Sequence, residues 1–502
     1  MEGKSSTRDA SVGLCASCAH SQEVTSSRGA VFYLCRLSFT DPHFPRYPPL
    51  PVLNCIGYQS LPSNPESRSP IPDPRSPIPD LMSRIVITSW GSFGDVYPYV
   101  GIALALKARG HRPLLAVPAF YRTLVEGLGL DFQPVGPEID PHDHSLIARL
   151  MDPVKGSEAI LRGLLMPALR GDYDALSAAA RGADLLVTHP ITFAAPVVAQ
   201  VQGLPWVSTV LAPMSFFSAS DAPVLPPAPS LVHLRRLGPW VGRIIVAVAR
   251  RATRTWMEPV YALRSTLGLP RGGHPIFEGQ FSPALTLALF SRVLASPQPD
   301  WPPNVVITGF VLYNGPEPLA PEVEEFLSSG APPVVFTLGT SAVGAAGRFY
   351  EESAKAAMRL GVRAVLLTGG FPQNRPRGSL SRDIILVDRA PHQLLFPRAR
   401  AVVHQGGIGT TAQALHAGRP MLVVPHGHDQ PDNAFRVTRL GVARTVFPSS
   451  YRERRVAREL EDLLGRPVFR TRASEVAAQV SAEAGADGAA RAIESALPGQ
   501  AE

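Results

Sequence analysis

The residue types best suited to chemistry gather between Ala401 and Ala434, which read AVVHQGGIGTTAQALHAGRPMLVVPHGHDQPDNA. A short apolar run ends at His404. Gly406, Gly407 and Gly409 follow, and Thr410 and Thr411 open a segment of helical composition. Glycine lets backbone approach a ligand closely. The first turn of a helix leaves N–H groups free at the positive end of its dipole. Those amides, the Thr410 hydroxyl and the His404 imidazole as donor would suit a diphosphate. One βα unit later stand Asp429, Gln430 and Asn433, polar side chains suited to several hydroxyls. The same stretch supports a second reading. Gly407-x-Gly409-x-x-Ala412 matches the dinucleotide fingerprint, with Asp429 about twenty residues on. A nicotinamide-dependent enzyme therefore competes with a sugar-nucleotide protein. The motif's place in the second half of the chain weighs against it.

Asp95, in GSFGD, follows the β-rich run RIVITSW. A carboxylate at the end of such a strand faces the cleft of an α/β sheet and can act as a general base. Its plain structural role would be a helix N-cap.

The elements that must hold these groups are strands alternating with helices, which imply parallel sheets covered on both faces. The first series of strands is expected at Arg84 to Trp90, Arg112 to Val117, Ala183 to Thr188 and Trp206 to Leu211. The second is expected at Val334 to Leu338, Ala364 to Thr368, Ile384 to Val387, Ala401 to His404 and Met421 to Val424. The Pro-rich stretch Ser296 to Pro321 joins them, which gives two similar lobes with a cleft between. Residues 213 to 230 are Pro-rich and read as a long surface loop. Leu231 to Arg251 mixes apolar and basic residues, a composition that fits a packed helix, an acceptor pocket or peripheral contact with a membrane surface.

All four cysteines, Cys15, Cys18, Cys35 and Cys55, lie ahead of the lobes. Their types allow a four-thiolate structural zinc site, in a segment too small to build much core without one. The tandem RSPIPDP and RSPIPDL then forms a stiff, extended linker, because proline lacks an N–H and fixes φ. The expected organisation is a cysteine module over 1–60, a linker over 61–82, an N-terminal lobe over 83–300 and a C-terminal lobe over 301–502.

Hydrophobic residues make up 45% and charged residues 18% of the 502, a globular composition. The net charge of +7 is carried by scattered arginines. No long basic run suggests a nucleic-acid groove, so nucleic acid is not expected as a partner. No signal peptide and no stretch of ~18 apolar residues is present, so the expected location is cytoplasmic.

HQGGIGTTAQAL…GRPMLVVPHGHDQPDNA resembles the donor-binding signature of family 1 glycosyltransferases, and more narrowly the bacterial branch near macrolide, glycopeptide and sterol glycosyltransferases. GSFGDVYPYVGIALALKARGH, LALFSRVLASPQPDWPPNVVITGF and VVFTLGTSA are similar to that branch too, and the likeness runs over most of residues 83 to 480. The resemblance implies an α/β fold of the GT-B type: two Rossmann-like lobes, with the nucleotide-diphosphate sugar in the C-terminal lobe and a small acceptor in the other. It places the diphosphate contact on His404, the phosphate-binding positions on Gly407, Gly409 and Thr410, and the sugar-hydroxyl pair on Asp429 and Gln430. The Gly-Ser/Thr after the first strand of the C-terminal lobe falls on Gly339 and Thr340. The backbone around Ala390 and Pro391 would meet the base. Gln413 stands where a glutamate often holds the ribose, which leaves uridine and thymidine both open. In the related antibiotic enzymes the base maps onto Asp95, whereas plant members use a histidine; His111 and His189 read as structural. The activity implied is inverting transfer of a hexose from a UDP- or dTDP-sugar, with no cofactor or metal at the reacting centre. A non-catalytic sugar-nucleotide binder would leave Asp95 dispensable.

Overall fold

The computed structural model describes residues 12, 14–18, 20–25, 31–35, 52, 55, 58, 82–140, 143–313 and 315–498. Met1–Asp80 and Leu81–Glu502 form separate compact units. Apart from Met82, the expected linker lies outside the described residues.

In the first unit, strands β1 (Ser21–Thr25) and β2 (Val31–Cys35) pair antiparallel, with Ser21 opposite Cys35. The Leu14 and Val52 amides donate to the Val52 and Val12 carbonyls, which brings the Cys55 segment beside Cys15. The carbonyls of Cys18 and Cys55 each accept the amide three residues on. All four cysteines are free thiols, and none is fully buried. Burial, followed by the charges of Cys18, Cys35 and Cys55, raises the Cys15 pKa. Yet among the described residues no group of three or more His, Cys, Asp or Glu side chains is placed to hold a metal ion.

The second unit holds two parallel sheets. The first contains β3 (Arg84–Thr88), β4 (Arg112–Val117), β5 (Asp131–Pro134), β6 (Leu185–Thr188), β7 (Trp206–Val210), β8 (Leu285–Ala288) and β9 (Val305–Ile307), in the order β5-β4-β3-β6-β7-β8-β9. The second contains β10 (Val334–Thr337), β11 (Ala364–Leu367), β12 (Ile384–Val387), β13 (Ala401–His404), β14 (Met421–Val423) and β15 (Ala443–Thr445), in the order β12-β11-β10-β13-β14-β15. The inner strands are mainly apolar and almost wholly buried, as strands covered on both faces must be. Six helices matter below: α1 (Phe93–Ala108), α2 (His144–Leu150), α3 (Pro239–Thr253), α4 (Ile408–His416), α5 (Gln430–Arg439) and α6 (Gly485–Glu494).

Three expectations need correction. The lobe boundary at 300 falls too early: β9 pairs with β8 and so belongs to the first sheet. The stretch 213 to 230 is not a surface loop. Phe216 stacks on Trp301 at 4.0 Å, and Ala222 and Val224 are buried, because apolar side chains between the prolines join the core. The C-terminal lobe also does not keep the chain's end: α6 returns to the first lobe. Ala489, Ala490 and Ile493 enter its core, and Arg109 and His111 bond Glu494. This gives His111 the structural role expected of it. One buried apolar cluster runs from Val210, Ala288 and Phe290 to Val335 and Val402, so the lobes share a core at their base.

Candidate functional site

The starts of α1 and α4 meet across the cleft, where a Cβ on Gly409 would stand 3.5 Å from the Gly94 Cα. Each helix follows the central strand of its sheet's crossover, β3 and β13, where the strand order reverses. Ligands of open α/β sheets bind at that switch point.

On the first-lobe side, Ser92 is the N-cap of α1 and Asp95 is its third residue, so Asp95 is not itself the cap. Oδ2 of Asp95 accepts the Ser92 amide at 2.8 Å and the Ser92 hydroxyl at 3.0 Å, a capping box. Oδ1 is left toward the cleft, 3.9 Å from Nε2 of His189. The Asp95 side chain keeps 37% of its surface open. Protein from both lobes surrounds that opening, and desolvation lifts the Asp95 pKa to about 6 against the two bonds from Ser92. Burial pushes His189 down to about 3, so its ring is neutral. The sequence reading of His189 as structural missed this neighbour; its position at the end of β6 was the available signal. Gly91 has φ +134°, and a Cβ there would lie 2.7 Å from the Asp95 carboxyl carbon. Only glycine leaves the carboxylate in place.

In the second lobe, His404 is fully buried at the end of β13. Its Nδ1 accepts the Gly406 amide at 3.0 Å. Burial, with His392 nearby, lowers its pKa to about 3. A neutral ring that accepts at Nδ1 carries its proton on Nε2, and Nε2 is buried with no partner. Gly406 sits at φ +89°, where a Cβ would stand 2.7 Å from Val423 Cγ1 and 3.1 Å from the Gln430 carbonyl. Gly407 caps α4, and Thr410 is buried in the helix's first turns. Gln413 is buried on α4, one turn further along. Gln405 was not anticipated. Its amide fills the space that a Cβ on Gly339 or Gly407 would need, and its Oε1 is buried and unpaired.

The DQPDN residues stand in a network of hydrogen bonds. Asp429 precedes α5, and its Oδ2 accepts from the Ile408 amide at 3.2 Å and from Asn433 at 2.7 Å. Burial first, then the charge of Asp95, raises its pKa to about 7. Asn433 is fully buried and ties Asp429 to the Gly406 carbonyl. Gln430 turns its Oε1 to the His426 and Gly427 amides. Asn433 thus braces the glycine loop and Gln430 the His426–Gly427 turn, because a buried polar backbone group left without a partner is costly. Thr340 is exposed behind Gly339, and Pro391 caps the short helix from His392 to Leu395.

Two features near this loop had no sequence signal. His428 adopts φ +56°, and its Nε2 lies 2.9 Å from the Leu150 carbonyl at the end of α2, joining the lobes. Arg436 on α5 is 1% exposed and binds Asp432 at 2.7 Å and Asp221 at 2.6 Å. Asp432 in turn accepts the Val224 amide at 3.0 Å. The DQPDN helix is thereby tied to the 213 to 230 segment. Arg436→Met leaves the buried Asp432 without its cation, while Asp221 keeps Arg235, and is expected to cost about 3–5 kcal/mol of stability, read as a lower midpoint in chemical denaturation.

An Asp-x-Asp pattern, Asp172 and Asp174, lies on the helix Met166–Ala180. Asp172 accepts the Gly136 amide at 3.0 Å and Asp174 pairs with Arg170. Asp172 thus ties its helix to the Gly136 turn, while the Asp174–Arg170 pair lies exposed on the helix surface.

Residues 370–494 match the C-terminal domain family of erythromycin biosynthesis protein CIII-like proteins. Over 437 residues the chain is 32% identical to O-mycaminosyltylonolide 6-deoxyallosyltransferase of Streptomyces fradiae, covering 82% of this chain and 97% of that protein. The chain belongs to the family 1 glycosyltransferases. Glycosyltransferase GtfE of Amycolatopsis orientalis is 31% identical, over 72% of this chain and 85% of its own. The fold is that of the GT-B glycosyltransferases: SsfS6 from Streptomyces sp. SF2575, complexed with thymidine diphosphate, matches with a TM-score of 0.55 and 22% identity, over 82% of this chain and 99% of its own. These relationships set aside the nicotinamide reading of the glycines. Among the described residues of this glycosyltransferase, no helix is long and apolar enough to cross a membrane.

Proposed function

We propose that this glycosyltransferase transfers a hexose, with inversion, from a UDP- or dTDP-sugar to a hydroxyl of a small apolar acceptor. The observation that carries the donor half is the buried, unpartnered Nε2–H of His404 beside the first turn of α4, where Asp429 holds the Ile408 amide and the Gly409 and Thr410 amides have no intrahelical partner. Together they suit a diphosphate whose charge grows as it leaves. The thymidine diphosphate in SsfS6 supports a nucleoside diphosphate as the leaving group.

Asp95 is the base in this reading. Its Oδ1 takes the acceptor hydroxyl's proton while that oxygen bonds the anomeric carbon. The bond from that carbon to the diphosphate oxygen breaks in the same step, so no covalent enzyme intermediate forms. The acceptor would lie at the end of β3, beside a small cavity lined by Trp90, Leu165, Leu169 and Phe193, with Asp172 as its charged member. Burial raises Asp172 to about 6. Apolar walls with a few polar groups, Thr88, Ser89 and Thr192 beside Asp172, suit a lipid-, sterol- or polyketide-like molecule. Asp429 is the remaining cleft carboxyl for the sugar hydroxyls.

Calorimetry with UDP, dTDP, NAD and NADP tests the donor half. Affinity for a nucleoside diphosphate is expected; affinity for NAD or NADP without it would overturn the proposal. The pH dependence tests the base. Only the ionised carboxylate accepts a proton, so kcat/KM should rise with pH through about 6, the pKa to which desolvation lifts Asp95, and then level off. A rate flat well below that value would remove Asp95 from the role.

Zinc in the first unit is also proposed, on the spacing of Cys15 and Cys18 and on the charges that all three other thiols exert on Cys15. Binding would have to draw the sulfurs together and release their protons. Metal analysis of the purified full chain tests it: one zinc per chain is expected, and a metal-free preparation with four titratable thiols that takes up no added zinc excludes it.

A further inference from the structure

Fifteen large hydrophobic side chains are exposed among the described residues, and five fall between Leu231 and Val248. Scattered apolar residues are ordinary on a surface; a contiguous group is not. Helix α3 explains the grouping. Val241 and Gly242 are buried, and a Cβ on Gly242 would run into the Ala219 carbonyl, so this side of the helix lies tight on the lobe. The opposite side carries Trp240, Ile244 and Val248, four residues apart and 54%, 54% and 64% exposed. Such spacing puts them on one stripe. Leu231 and Leu234, in the preceding helical turns Pro229–Leu237, are exposed as well.

The charge on this segment has one sign. Between Asp221 and Glu258 there are six arginines and no acidic residue. Arg243 and Arg254 flank the stripe on one side, and Arg251 continues it by one turn. Arg250 is paired with Glu278, while no ion pair engages Arg243, Arg251 or Arg254 among the described residues. An apolar stripe edged by unpaired cations matches the interface of an anionic bilayer, where acyl chains meet phosphate headgroups. A protein partner of ordinary interface composition would not call for so uniform a charge.

We propose that α3 lies flat on an anionic lipid surface, with Ile244 and Val248 at the acyl boundary and Arg243, Arg251 and Arg254 on headgroup phosphates. The test is co-sedimentation of the full chain with vesicles. One set is pure phosphatidylcholine; the other is equal parts phosphatidylcholine and phosphatidylglycerol. The expected result is binding at least roughly tenfold stronger to the anionic set, weakened by added salt. I244E/V248E should lose at least roughly tenfold of that binding. R243A/R251A should abolish most of the preference for phosphatidylglycerol. All four positions are exposed, so both variants should melt as the parent does. Failure to bind the anionic vesicles, equal binding to both sets, or undiminished binding by I244E/V248E would each overturn the proposal. So would a concentration-dependent dimer that I244E/V248E abolishes, since the stripe would then join two copies.

Discussion

Asp95→Asn is expected to lower kcat by on the order of 10²–10⁴ while leaving nucleoside diphosphate affinity at its parent value. The substitution separates two duties of one side chain. Oδ2 of Asp95 closes the capping box with Ser92, and the Asn carbonyl oxygen can accept those same two bonds. The carboxylate near His189 cannot be replaced in this way, because an amide does not take up a proton near neutral pH. Single-turnover transfer, with calorimetry on the same preparation, reads the two duties apart. Asp95→Ala adds the loss of its half of the capping box with Ser92, about 1 kcal/mol of stability, and should be no slower than Asn. Transfer by Asp95→Asn within tenfold of the parent would mean that another group takes the proton, with the neighbouring neutral His189 first in line.

The second large effect is expected at His404. Its Nε2–H is the one buried donor of that ring without a partner, and Nδ1 is held by the Gly406 amide. His404→Ala removes a fixed donor from a developing charge, which costs on the order of 10²–10³ in kcat. It should also weaken UDP or dTDP binding by ~1.5–3 kcal/mol, as for a hydrogen bond to a charged group. His404→Gln keeps an N–H donor in the same buried place and should recover part of both losses. That recovery distinguishes a lost donor from a collapsed loop, which a thermal melt would also report. Parent-like nucleotide affinity in His404→Ala would contradict the role given to the imidazole.

The strands at Arg112–Val117, Ile384–Val387 and Ala401–His404 coincide with those read from the sequence. Buried parallel strands are continuous apolar runs, and such runs are visible without a structure. The strands that escaped notice lie mainly at sheet edges. β5 is half exposed and ends in Pro134, and β9 and β15 are three residues each. Short edge strands carry little hydrophobic pattern. β8 is buried, but its four residues sit inside a longer apolar segment with no boundary.

The sequence by itself determined the two βα series, the glycine turn after His404 and the Asp95 turn, because each is set by neighbours a few residues away. Tertiary structure alone decided what those groups face. It set the Asn433 amide against the Gly406 carbonyl, since buried amides must find partners wherever the chain supplies them. It brought His189 to Asp95, Asp221 to Arg436 and α6 onto the first lobe. These contacts join residues from about ninety to several hundred positions apart, and no local pattern encodes a distance that only the packing of whole lobes can set.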